Sequence, residues 1–313
     1  MNEQQTPNVL TYATPRLDHP GYDHDWFDWN PLPDRPAVRW PGGNRTAVSI
    51  VINLAAVEWE DAGAGWRPRP PGGRGLGGPP DVPRMSHREF GHRVGIFRLL
   101  DIAAAFGIRP AVAVDVMTAE CYPTLLSHVR PAAAEILCGG LSASRPLTSA
   151  MTQPEESDYI EQAMARLTDA LGERPVGWLS PNRSESRRTP ALLASAGIGY
   201  VAEWANDEAP YPFGGSAEGL WAYPLSWELS DLATAYERAV APDVWATSAI
   251  AAFDMVHQEG GRVFNLNLDP WLSGQAFRAS ALERVLHHVT EAPDVWLAAP
   301  KDVVAHSERA YLT

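Results

Sequence analysis

The feature that most constrains this chain is a repeated alternation of strand-like and helix-like segments over about 250 residues. TAVSIVINL (46–54) is a continuous apolar run of the kind found in a buried strand. HREFGHRVGIFRLLDIAAAFG (87–107) has helical spacing, with Val94, Phe97, Leu100 and Ala104 near the 3–4 period and Gly107 as its stop. RPAVAVDV (109–116) is a second strand, followed by a helix to about residue 130, and AEILC (134–138) is a third. SDYIEQAMARLTDALG (157–172) reads as a helix capped by Ser157. Strands follow at 175–180, 198–204 and 220–226, with a helix beginning at TPALLASAG between the first two. The pattern continues as a helix at 245–259, a strand at 262–269, a helix at 279–291, the strand DVWLAA and a C-terminal helix.

Such alternation predicts an α/β fold on a parallel sheet, because parallel strands need a crossover, usually helical, between them. Seven or eight units favour a closed, distorted (β/α) barrel over a doubly wound sheet. No GxGxxG fingerprint follows the first strand, and no GxxxxGK[ST] loop occurs. Residues 46–313 read as one domain. Residues 1–45, broken by recurrent proline, read as an extended arm anchored by Trp26, Trp29 and Trp40. Residues 67–84 form a Gly/Pro-rich loop of a length usually associated with a lid, a binding loop or disorder. The net charge of −13 opposes a surface that coats nucleic acid or an anionic membrane. Two cysteines, Cys121 and Cys138, do not make a disulfide framework. The first ten residues lack a basic and an apolar region, and no apolar run reaches the ~18 residues of a span. The expectation is a cytoplasmic protein whose partner is a small molecule.

In a parallel barrel, chemistry gathers at the C-terminal ends of the strands. Three of those ends carry acids: Asp115, Glu203 and Asp269. Buried carboxylates brought together raise one another's pKa and become usable as acid or base near neutrality. Each could equally cap a helix or pair with an arginine such as Arg183. Trp59, Trp204 and Trp271 fall at the same end and could wall a pocket, or simply pack. Asn182, Arg183 and Asp207 are candidate substrate contacts. No histidine falls at a strand end, so no metal site and no cofactor are expected. Cys138 has no histidine placed to activate it as a nucleophile.

The strings WPGGNRTAVSIVINL, RVGIFRLLDIAAAFGIRPAVAVD, RPVGWLSPNRSES, TPALLASAGIGYVAEWANDEAPYP and NLDPWLSGQAFRASALERVLHHV followed by DVWLAAP stand out along the chain. Together they resemble NodB-type polysaccharide deacetylases, most of all the intracellular allantoinase-like and peptidoglycan-deacetylase-like branch. The resemblance spans about residues 15–305 and implies a distorted barrel of about seven strands, often in a homo-oligomer. It also implies a metal site that this chain has lost. The acid after the first strand is replaced by Ala55 or Ala56. The HGxxH-like string appears as Gly139-Gly140-Leu141-Ser142-Ala143, and the late Leu-His-Pro as Leu268-Asp269-Pro270. The allantoinase-like branch works without metal but keeps the strand-three histidine.

The sequence therefore points to a metal-independent enzyme with Asp269, Glu203 and Asp115 as acid/base groups. C–N hydrolysis of an amide, cyclic imide or ureide is the inherited reaction class. A non-hydrolytic catalyst (cyclase, isomerase, dehydratase or decarboxylase) of bacterial secondary metabolism and a non-catalytic relative are the alternatives. A rebuilt magnesium or manganese site made of the same carboxylates is a further one.

Overall fold

The computed structural model describes His24, residues 26–35, 38–59 and 82–311. Most of the arm and residues 67–81 of the Gly/Pro-rich loop lie outside the described residues; 82–84 open the first helix. Of the three expected anchors, Trp40 is fully buried and Trp26 half-buried, whereas Trp29 is 66% exposed and anchors nothing.

The strands are β1 (Thr46–Leu54), β2 (Ala111–Val114), β3 (Glu135–Cys138), β4 (Gly177–Trp178), β5 (Tyr200–Val201), β6 (Tyr211–Pro212), β7 (Trp221–Ala222), β8 (Arg262–Leu268) and β9 (Val295–Leu297). They form one curled sheet in the order β6-β7-β5-β4-β3-β2-β1-β8, with β9 also paired to β1. Every pairing is parallel except β6 with β7. Around it lie α1 (Val82–Phe90), α2 (Ile96–Ala105), α3 (Val116–Cys121), α4 (Pro123–Ala132), α5 (Gln153–Leu171), α6 (Thr189–Ser195), α7 (Pro242–Glu259), α8 (Ala276–Glu291) and α9 (Pro300–Tyr311). The result is a distorted (β/α) half-barrel. The strand ladder does not run from β7 to β8. That seam is stitched instead by Val263 N–H donating to Glu208 O and by the Asn265 amide, which donates to Pro224 O and accepts from Ser226 N–H.

Side-chain parity decides what faces where. Along β1, Val48, Ile50, Ile52 and Leu54 point outward into the helix-covered core, while Ala47, Ser49, Val51 and Asn53 point inward. Along β8, Phe264, Leu266 and Leu268 point outward, and Val263, Asn265 and Asn267 inward. The register Val51↔Asn267 then sets Asn53, Asn267 and Asp269 together at the C-terminal end of the barrel.

Several elements differ from expectation for identifiable reasons. The helix at 157–172 starts earlier, at Gln153. Thr152, not Ser157, is its cap, because Glu155 completes a capping box with Thr152. Pro123 splits the helix after β2 into α3 and α4. Residues 87–107 carry a wider π turn at Gly91–Gly95 between α1 and α2. β4, β5 and β7 are two residues each, because the segments after them leave the ladder to build the site.

Candidate active site

A cavity of about 50 Å³ opens at the C-terminal end of the barrel, with Asn53, Asn267 and Asp269 on one wall and Ser180, Asn182 and Arg183 on another. That volume holds a few waters or one small functional group. Asn53 Nδ2 donates to Asn267 Oδ1 at 2.8 Å and to Asp269 Oδ2 at 3.4 Å, and Trp271 Nε1 donates to Asp269 Oδ1 at 3.2 Å. Behind Asp269 lies Asp231, at the start of a π turn, Leu232–Glu237. Both oxygens of Asp231 accept the Asp269 backbone N–H, at 3.0 and 2.8 Å. The two carboxyls are also hydrogen-bonding neighbours. Burial, then the charge of Asp269, holds Asp231 well above the usual carboxylate range. Burial raises Asp269 too, opposed by the Arg88 charge and by its Asn53 and Trp271 donors. The arrangement is an unequal acid pair: Asp231 keeps a proton, and Asp269 is the member stabilised as a carboxylate.

Two glycines place that pair. A Cβ on Gly91 would sit 2.9 Å from Trp271 N, and one on Gly95 would overlap the Pro270 carbonyl. Their absent side chains let the turn carrying Asp269, Pro270 and Trp271 rest directly on the π turn. Arg88, one turn earlier, stacks over the Trp271 ring at 3.9 Å and lines the cavity. On the opposite wall, Asn182 and Arg183 are consecutive residues with positive φ, 56° and 54°. Such backbone is strained for residues with a Cβ and is characteristic of functional loops.

Of the residues read from sequence, Asp269, Asn182 and Arg183 line the cavity. Asp115 is fully buried and caps α3; its carboxylate accepts Thr118 N–H and Ala56 N–H, both at 2.7 Å. Burial pushes it up to about 7 despite those donors. Glu203 lies beneath the cavity wall and accepts Ser180 N–H; burial pushes it up to about 7, and Glu185 beside it is also raised well above the usual carboxylate range, chiefly by its own burial. Trp271 supports Asp269 without lining the cavity. Trp59 is at the surface, bonded to Glu89 at 3.0 Å. Trp204 packs edge-on against Trp26, Phe27 and Phe213, and Asp207 pairs with Arg35 at 2.7 Å. Asp231, Asn267, Arg88 and Trp227 were not anticipated.

The metal implied by the resembled family does not fit these residues. Ala55, Gly139 and Ala143, at or beside the former ligand positions, line the cavity without a donor atom. Among the described residues no group of three or more His, Cys, Asp or Glu could hold an ion. Cys138 is fully buried, with its thiol pushed up to about 12, which removes it as a nucleophile. No helix among the described residues is long and apolar enough to cross a membrane.

The buried acids have a consequence for stability. Asp115, Glu135 and Glu203 are each raised to about 7, so between the unfolded and folded pKa values the native state binds more protons than the unfolded chain. Their stabilisation is complete below the unfolded pKa and is lost as pH rises toward 7. His92, lowered by burial to about 4, and His257, also lowered chiefly by burial, work in the opposite sense over most of that interval, but Glu185, Asp231 and Asp269 are raised as well, so the acids outnumber the histidines. The thermal midpoint is expected to be several degrees higher near pH 5 than near pH 8. A midpoint that rises with pH across that range would contradict the protonated state of these acids.

No protein-family model matches the chain. It is 23% identical over 304 residues to a Schizosaccharomyces pombe protein named "Putative polysaccharide deacetylase", covering 84% of this chain and 90% of that one. A crystal structure of the same name from Mycobacterium smegmatis superposes with a TM-score of 0.73 at 24% identity, over 89% of this chain and 96% of the other. The crystal structure of Puue allantoinase superposes with a TM-score of 0.77 at 23% identity, over 89% and 95%.

Proposed function

From a chain built on the polysaccharide-deacetylase fold, we propose a hydrolase that cleaves a C–N bond in a small molecule by carboxylate acid/base chemistry, without a metal ion. The observation that carries this reading is the buried Asp231–Asp269 pair, with Asp269 on the wall of the cavity at the C-terminal end of the barrel. Asp269 takes a proton from a water in the cavity as that water attacks the carbonyl carbon. Arg88 offers N–H groups to the oxygen that becomes negative. Asp231 then returns a proton through Asp269 to the departing nitrogen. Asn53 and Trp271 keep the Asp269 carboxylate oriented throughout.

A second reading is favoured by the same pair. Two carboxyls that share a proton suit isomerisation or cyclisation, which need proton transfer without the large barrier of amide hydrolysis. The deciding experiment uses protein purified without a metal-affinity step, stripped with a chelator and checked by elemental mass spectrometry. It is offered a panel of small amides, ureides and cyclic imides, and products are identified by mass. The expected result is turnover with a mass gain of one water, unchanged by chelation. Turnover that appears only on restoring a divalent ion would overturn the metal-free mechanism. A product isomeric with its substrate would select the second reading.

A further inference from the structure

We propose that Arg183 is a specificity-determining residue that binds a carboxylate of the substrate, so that the substrate class is a small amide bearing an acid group. This rests on the hydrolytic reading above and extends it. Several arginines in the described structure are spent on carboxylates: Arg188 lies 3.0 Å from Glu156, Arg35 2.7 Å from Asp207, and Arg145 2.7 Å from Glu58. Others, such as Arg45, Arg98 and Arg174, serve backbone carbonyls; Arg183 is of this second kind, but it lines the cavity. Among the described residues no carboxylate oxygen lies within 4.0 Å of it. Its Nη1 and Nη2 reach only the Leu225 and Ser226 carbonyls, both at 3.4 Å, the long limit of a hydrogen bond. The guanidinium lines the cavity, with its face toward the Trp227 ring at 5.0 Å.

A guanidinium has five N–H groups in a fixed fork that matches a carboxylate. Here that fork is half-buried at the cavity wall and left with two long-range acceptors, on a backbone with two consecutive positive φ angles. The carboxyl groups of Glu203, Asp269 and Asp231 influence it through space without contact. A singly charged, planar acid group would complete it. A phosphate dianion fits less well, since its second charge would face Asp269 across the cavity.

The test is isothermal titration of the full chain with N-acetylglycine, its neutral amide N-acetylglycinamide, and inorganic phosphate. Wild type is expected to bind the acid at least about ten-fold tighter than the neutral amide, the scale of a charged hydrogen bond. Arg183→Gln should abolish that preference. Arg183→Lys should keep part of it, because the charge remains without the fork, and this variant serves if the first does not fold. Asp269→Asn should keep or increase the preference whether or not the protein is a hydrolase, which separates this inference from the catalytic one. Equal binding of acid and amide, no saturable binding of the acid, or a preference unchanged in Arg183→Gln would each overturn it. Phosphate outcompeting N-acetylglycine would reassign the site to a general anion.

Discussion

Replacing Asp269 with asparagine is expected to lower turnover by roughly 10²–10⁴-fold, the usual contribution of a general base. The substitution keeps an acceptor oxygen for Trp271 Nε1, loses only the long 3.4 Å contact from Asn53 Nδ2, and removes the basic, chargeable group. Substrate binding should change little, so the loss should fall on kcat rather than on KM. Stability should hold or improve above neutrality, because Asp231 then no longer faces a like charge when it ionises. The pH profile offers an independent check. Asp269 titrates above the ordinary aspartate range, so the acidic limb of kcat/KM should lie at a correspondingly high pH and vanish in the variant's residual activity. A variant with turnover within a few-fold of wild type would remove Asp269 from the chemistry and leave the acid pair as a structural feature.

The second large effect is expected far from any charged group. Gly95→Ala would place a methyl carbon inside the Pro270 carbonyl, and Gly274 packs against the same carbonyl and against the Gly95 backbone. Neither neighbour is a flexible side-chain end, so the turn holding Asp269 must move. Overpacking of this kind costs about 1–3 kcal/mol, and displacement of a catalytic group by about 1 Å can cost 10²-fold in rate. The expected outcome is a thermal midpoint lower by a few degrees, with kcat depressed about 100-fold and the Asp269→Asn change no longer additive. Normal turnover in Gly95→Ala would show that the contact between the π turn and residues 270–274 does not position Asp269.

Much of this architecture is legible in the chain, and the failures have physical causes. The continuous apolar run of β1 and the alternating Phe264, Leu266 and Leu268 of β8 announce these strands, which stay in register with each other for seven residues. β4, β5 and β7 were read too long because Leu179, Ala202, Tyr223 and Leu225 remain apolar after leaving the ladder: they fill the barrel interior, where composition matches that of a strand. Asp269 was found because it ends a strand. Asn267, two residues earlier, shares its face by parity, and NLNLD carries that signal. Asp231 had no such marker. It follows a turn, and only the three-dimensional approach of its carboxylate to the Asp269 N–H reveals it. Asp115 has the sequence signature of both a strand-end acid and a helix cap, and its bond to the N–H three residues on is the capping geometry. The aromatic residues illustrate the same ambiguity, since Trp59, Trp204 and Trp271 meet three different environments.

The pairing of β1 also governs how the chain can come to fold. This strand shares hydrogen bonds with β2 at its far half, but with β8 along most of its length and with β9 at its start. Its principal partners lie more than 200 residues downstream. On a ribosome, TAVSIVINL emerges early and waits until residues 262–297 have been made before its edges are covered. Until then it is a flat, uncharged, β-branched segment of the kind that recruits other strands. Closing so long a loop is entropically slow. About the last sixth of the chain therefore acts as the latch on the first strand, and a nascent chain stalled before β8 would present its most aggregation-prone segment uncovered.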